Sequence, residues 1–282
     1  MIAFIGTGLL GANFVRAMLK KGEQVQVWNR THAKARSLEA HGAKAFEHVA
    51  DAVKGASRIH LTLKDDAAVN EVLEQASAGF EPGVIIIDHT TTSAHGAAER
   101  TEYWKQKGYT YLHAPVFMGP QNALESTGSM LVSGDPAVIS KIEPELAKMT
   151  GKVLTFGTDT NKAAGMKLLG NLFLIAMTAG VADMLALAKA LQIDTADMLK
   201  LFESWNPAAV LPARIKKMTS DTFHEPTWEL NMARKDAQLM MEGAAMGGMS
   251  LNAISAIAAD MDRWIERGHG SSDWTVIGKD GV

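Results

Sequence analysis

Short apolar runs separated by amphipathic stretches fill the first half of the chain. Ile2-Ala3-Phe4-Ile5 leads into Gly6-Thr7-Gly8-Leu9-Leu10-Gly11, and residues 12–21 then carry helical spacing, which predicts strand, tight turn and helix in that order. Further strands are predicted at 24–28, 43–46, 59–63, 84–88 and 110–113, with helical stretches between them. A last pair at 129–133 and 152–156 brackets a helix at 136–149. Such alternation describes an α/β, doubly wound, mostly parallel sheet over residues 1–160. The pattern then changes. Residues 161–191 lack proline and are dominated by leucine, methionine and alanine, which predicts one long buried helix joining two domains. Helices follow at 194–205, 208–218, 230–246 and 251–267, punctuated by Pro207, Pro226 and Gly247-Gly248, so residues 161–282 form an all-α second domain. The glycine-rich stretch 268–272 reads as a loop before a short tail.

Lys167, Asn171 and Thr178 fall on one stripe of the long helix at 100° per residue, a narrow polar line on an otherwise apolar cylinder. The residues alone leave two readings open. Lys167 snorkels to solvent while Asn171 satisfies a backbone group, or the amine is a general acid/base aimed into a cleft. About 15 uncharged residues separate Lys167 from Asp183, short of the roughly 20 that cross a bilayer, so a membrane span is not expected.

A length of 282 residues suits two domains with a sizeable core. The formal charge of −3, without a block of like charges, argues against nucleic acid and polybasic membrane anchoring. With no cysteine there is no thiolate chemistry and no disulfide; a reducing, cytoplasmic setting is the expectation, and no targeting segment is read at the N-terminus. The nine histidines are scattered without metal spacing, so no metal site is expected. The methionine clusters Met240-Met241 and 246–249 read as core filler or a subunit interface.

In the glycine motif the first glycine permits the turn, the second lets backbone approach a pyrophosphate, and the third allows close packing. The helix N-terminus after the motif then offers unpaired NH groups to phosphate, and Leu9 and Leu10 within the motif are candidate cofactor contacts. The second strand ends in Asn29-Arg30-Thr31, where an acid would accept from a ribose 2′-hydroxyl. A guanidinium and a hydroxyl there attract a 2′-phosphate, which selects NADP. Ligands of such sheets sit at the carboxyl ends of strands, which directs attention to Leu63-Lys64, to Thr90-Thr91-Thr92 and to the loop 114–128. The threonines are equally suited to capping a helix and to contacting a cofactor.

With these motifs in order, nearly the whole chain resembles the β-hydroxyacid dehydrogenase family. That family includes 3-hydroxyisobutyrate dehydrogenases, glyoxylate/succinic semialdehyde reductases and, more distantly, 6-phosphogluconate dehydrogenases and imine reductases. The likeness rests on the glycine motif with Asn29-Arg30-Thr31, on Ala114-Pro115-Val116 with Gly119 and Ala123, on Lys167 with Asn171, and on Lys235-Asp236. It implies Lys167 as the catalytic amine and Asn171 as a substrate-holding group. It also implies Leu63, Lys64 and Thr91 as cofactor-lining residues, Lys235 near the nicotinamide, and a substrate loop of Phe117, Met118, Gly119 and Asn122. A homodimer acting on a small molecule is expected. The chain departs from the family where Phe117 and Met118 replace a carboxylate-binding serine and a glycine, and where Ser126 replaces a second glycine. Three functions compete: an NADP-dependent reductase or dehydrogenase of a small carbonyl or alcohol, an imine reductase, and a non-catalytic NADP-binding sensor.

Overall fold

A computed structural model describes residues 1–281. Six parallel strands form the main sheet: β1 (Ile2–Ile5), β2 (Val25–Trp28), β3 (Lys44–Ala45), β4 (Arg58–Leu61), β5 (Ile85–Asp88) and β6 (Thr110–His113), in the order β3-β2-β1-β4-β5-β6. Because successive strand residues face opposite sides, the sheet supplies two cores. Ile2, Phe4, Val25, Val27, Ile85 and Ile87 pack on one face, against α1 (Leu9–Lys20) and α7 (Pro136–Ala147). Ala3, Ile5, Ile59, Leu61 and Ile86 pack on the other. There α3 (Val49–Val53), α4 (Asp66–Ala76) and α5 (Ala94–Gln106) cover them, with Trp104 of α5 fully buried. The short α2 (His32–Arg36) follows β2.

A second, three-stranded sheet joins β7 (Val116–Phe117), β8 (Ser129–Val132) and β9 (Lys152–Thr155), with α6 (Pro120–Glu125) between the first two. The two-residue β7 was not predicted; it is held by antiparallel pairing, Phe117 opposite Ser129, rather than by its own pattern.

The long helix α8 (Lys162–Ala190) runs as predicted, but the chain divides into two compact units between Asn171 and Leu172, inside it, instead of at residue 160. Its opening turns belong to the first unit: Ala163 and Ala164 are fully buried, and the Ala163 amide donates to Ser133 Oγ at 2.9 Å. Beyond them the expectation of a buried helix fails. Only 6% of its most apolar 18-residue window is buried, and Leu172 and Ile175 are exposed. By length and composition alone, α8 would also suffice to cross a membrane.

The second unit adds α9 (Thr195–Ser204), α10 (Leu211–Met218), α11 (Leu230–Met246) and α12 (Ala253–Trp264). Arg234 of α11 grips Asp262 of α12 with two bonds of 2.7 and 3.1 Å, and Asp183 of α8 accepts from the Asn252 and Ile254 amides at the start of α12. The tail is more ordered than a loop. Residues 274–281 form a 3₁₀ helix that buries Val276 against Leu230 and Trp264. Asp273 beside it is buried; burial raises its pKa, but hydrogen bonds from Thr275 and Thr227 outweigh that and hold it at about 2.

Candidate active site

The glycine motif forms a cradle at the carboxyl end of β1. Gly6 has φ +89°, and a Cβ there would lie 2.1 Å from the Thr62 carbonyl oxygen; at Gly11 it would lie 2.0 Å from the Gly6 carbonyl oxygen. Both positions therefore exclude a side chain. Gly8 meets nothing within 4 Å and is exposed, so backbone is open there to a ligand. It precedes α1, whose first turn, with Leu9 and Leu10, carries no acidic residue and whose N-cap makes no side-chain bond to its first amides. The Thr7 hydroxyl, buried beside this turn, has no partner among the described residues. An uncapped helix N-terminus behind an open glycine fits a pyrophosphate.

At the next strand end, Asn29 is spent on structure. Its Oδ1 accepts from the Thr7 amide at 3.0 Å and its Nδ2 donates to the Thr31 carbonyl, locking the end of β2 to the cradle. Arg30 and Thr31 remain exposed. The Leu63 amide donates to Thr90 Oγ1 at 2.9 Å, while Lys64 points outward, 3.5 Å from Asp65. The threonine cluster divides its work: Thr90 and Thr92 are buried, Ser93 caps α5 through the Gly96 amide, and Thr91 is exposed at the sheet edge.

Sequence reasoning missed a buried polar assembly beneath this edge. His89 Nδ1 lies 2.7 Å from the Ala114 carbonyl oxygen and therefore donates to it, so its Nε2 accepts from His60 Nδ1 at 3.0 Å, leaving His60 Nε2 unpartnered. His113 Nε2 bonds the Thr90 carbonyl at 2.9 Å. Burial pushes His60 well below the usual histidine range and His89 down to about 4, so both are neutral near pH 7. Beside them Tyr111 donates to Asp88 at 2.6 Å, and Arg100 bridges Tyr111 to Asp66 at 2.9 and 2.7 Å. Together these bonds fix the ends of β4, β5 and β6 and the start of the loop at Ala114. The available signal was a histidine at or just beyond the carboxyl end of three neighbouring strands.

Lys167 is half-buried, and desolvation lowers its pKa from the ordinary lysine value. Its Nζ stands 4.2 Å from the centre of the Phe117 ring. Asn171, one turn on, is half-buried. Asn122 shapes the loop: its Oδ1 accepts from the Gly119 amide at 2.9 Å and its Nδ2 donates to Thr127 Oγ1 at 3.0 Å. Ser126 adopts φ +56°, the left-handed conformation that explains a glycine as the usual residue there. Thr178 bonds back to the Leu174 carbonyl of its own helix. Lys235 lies on α11 in the second unit, exposed, 3.0 Å from Asp236.

Strand order, glycine cradle and bare helix N-terminus define the first unit as a Rossmann dinucleotide-binding domain. The family model described as the NAD binding domain of 6-phosphogluconate dehydrogenase matches residues 1–157. The chain belongs to that family and is an oxidoreductase of the β-hydroxyacid dehydrogenase group. It is 24% identical over 283 residues to a probable 3-hydroxyisobutyrate dehydrogenase of Mycobacterium tuberculosis, covering 98% of this chain and 96% of the relative. It is 26% identical over 282 residues to glyoxylate/succinic semialdehyde reductase 1 of Arabidopsis thaliana, covering 98% and 96%. In fold it is similar to an imine reductase from Myxococcus stipitatus solved in complex with NADP+, with a TM-score of 0.87, 23% identity and 98% of each chain covered.

Proposed function

We propose that the protein is an NADP(H)-dependent oxidoreductase that interconverts a small carbonyl compound and its alcohol, with Lys167 as general acid/base. The observation that carries this reading is the placement of Lys167. It is a half-buried amine with a lowered pKa, in the unit that holds the cradle, and it makes no ion pair or hydrogen bond among the described residues. When bound, the nicotinamide supplies or accepts the hydride. The reacting oxygen must then gain or lose a proton, and an amine that is not held charged by a carboxylate does both. Asn171 suits the task of holding that oxygen. Arg30 and Thr31, exposed beyond β2, suit a 2′-phosphate. Phe117 and Met118 offer no donor to a substrate carboxylate, which supports preference for an uncharged carbonyl over a short 3-hydroxy acid.

Imine reduction is the second reading, supported by that apolar loop and by the fold shared with a solved imine reductase; a lysine at 167 favours the first. Turnover of aldehydes, keto acids and cyclic imines, followed by NADPH absorbance, separates the two. Binding of NADPH without turnover of any would leave only a sensor.

We also infer that a second copy of the chain covers the apolar surface of α8. Asp183 within that helix is already engaged by the start of α12, as befits a helix in a folded unit rather than a lipid span. Light scattering behind size exclusion should give twice the 30.3 kDa chain mass. A monomer that stays soluble without detergent, or a requirement for detergent, would refute the pairing.

A further inference from the structure

We propose that Phe117 is a positioning residue for Lys167, its ring seated in a notch that Gly170 leaves open on α8 and its face presented to the ammonium. Three observations carry this. The Phe117 backbone is fixed, because β7 pairs with β8 at Ser129, and the turn at Gly128 passes so close that a Cβ added there would fall 2.8 Å from the Phe117 carbonyl oxygen. The ring is fixed by Gly170, where a Cβ would fall 2.2 Å from Phe117 Cζ and 2.8 Å from Cε1. The amine, three residues before that glycine on the same helix, lies 4.2 Å from the ring centre.

A lysine stem has four rotatable bonds, and a charged amine with no acceptor would sample solvent. A π face attracts the cation without taking its proton, whereas a carboxylate in the same place would keep it charged. The ring thus restrains the amine while leaving its donors free, and its hold weakens once the proton leaves. At the position where the family resemblance implies a carboxylate-binding serine, this chain carries the ring that restrains the amine.

The effect on rate rests on Lys167 being the acid/base group; the contact itself is testable without turnover. Lysines of the whole protein are reductively methylated with ¹³C, the Lys167 signal is assigned by its absence in Lys167→Met, and its titration is followed by NMR. Phe117→Leu keeps apolar volume and removes the quadrupole. The Lys167 pKa should fall further by about half a unit, the value of a partly exposed cation–π contact. Phe117→Tyr should keep it within about 0.2 unit of wild type. Gly170→Ala should reproduce the Phe117→Leu shift by dislodging the ring, and should add nothing to it in the double variant, because both act through one contact. An unchanged titration in Phe117→Leu and Gly170→Ala, or equal shifts in the leucine and tyrosine variants, overturns the proposal. If the titration shifts as stated while kcat of Phe117→Leu is unchanged, the ring is no positioning residue and the proposal falls; if Lys167→Met itself turns over normally, the acid/base reading fails instead.

Discussion

The glycine cradle and the Lys167 corner lie in the same unit but are built in different ways. The cradle is made of backbone. Gly6 and Gly11 are excluded from carrying side chains by carbonyl oxygens about 2 Å from any Cβ, and the one open position, Gly8, is where a ligand would approach. The corner is made of side chains: a lysine, a ring and the glycine that admits the ring. Backbone recognition serves what dinucleotides share, the pyrophosphate, and tolerates little change. Side-chain construction can be rebuilt for a new substrate, and one departure of this chain from its family, Phe117, lies there.

The largest expected effect that sharpens this contrast is within the cradle. Gly6→Ala or Gly11→Ala forces backbone apart and should destabilise the fold by about 3 kcal/mol in urea unfolding. Gly8→Ala should leave the fold within about 0.5 kcal/mol while weakening NADPH binding tenfold or more in calorimetry. Equal behaviour of the three would erase the distinction.

Next is the histidine assembly under the Ala114 carbonyl. His89 has a folded pKa of about 4 against 6.5 when free, so it contributes stability that is present in full above 6.5 and is lost as pH falls from 6.5 toward 4. The loss should be roughly 3 kcal/mol for this group, part of it shared with His60, and smaller in His89→Gln. Asp88, His113, Arg58 and Arg100 also bear on these rings, so unfolding curves of the native protein and His89→Gln are compared across that window. A pH-independent difference between the two would remove the account.

A smaller effect is expected at the cofactor's far end. Arg30→Ala should lower the preference for NADPH over NADH by roughly 1.5 to 3 kcal/mol, read as the ratio of dissociation constants. No preference in the native protein would show that this exposed arginine recognises nothing.

The main sheet was legible because short, continuous apolar runs alternate with helical stretches and a glycine turn follows the first, so Ile2 to Ile5 and the cradle could be placed from the sequence. The all-α character of the second half was legible from helical spacing. Four features were not. Strand β7 is two residues long and exists through its partner. His60, His89 and His113 are far apart in sequence, and only the strand order brings them together. The apolar α8 reads as a core helix, yet a single chain leaves most of it exposed, because periodicity reports that a face needs cover and not which molecule supplies it. The seat of Phe117 was equally hidden: from sequence the ring could fill the substrate cleft or turn away, and the space left by Gly170 places it against α8, beside the amine.

The most direct test of Lys167 as the acid/base group is the pH dependence of kcat in both directions, in the native protein and in Lys167→Met. Oxidation of the alcohol needs the neutral amine and reduction of the carbonyl needs the ammonium, so the two profiles should mirror each other. Both should turn at a pH below the ordinary lysine value of 10.5, the direction in which burial moves this group. In Lys167→Met both limbs should vanish and kcat fall by about 10² or more, with NADPH affinity nearly unchanged. Normal turnover in that variant, or limbs that persist at the same pH, would contradict the assignment and return Lys167 to a structural role.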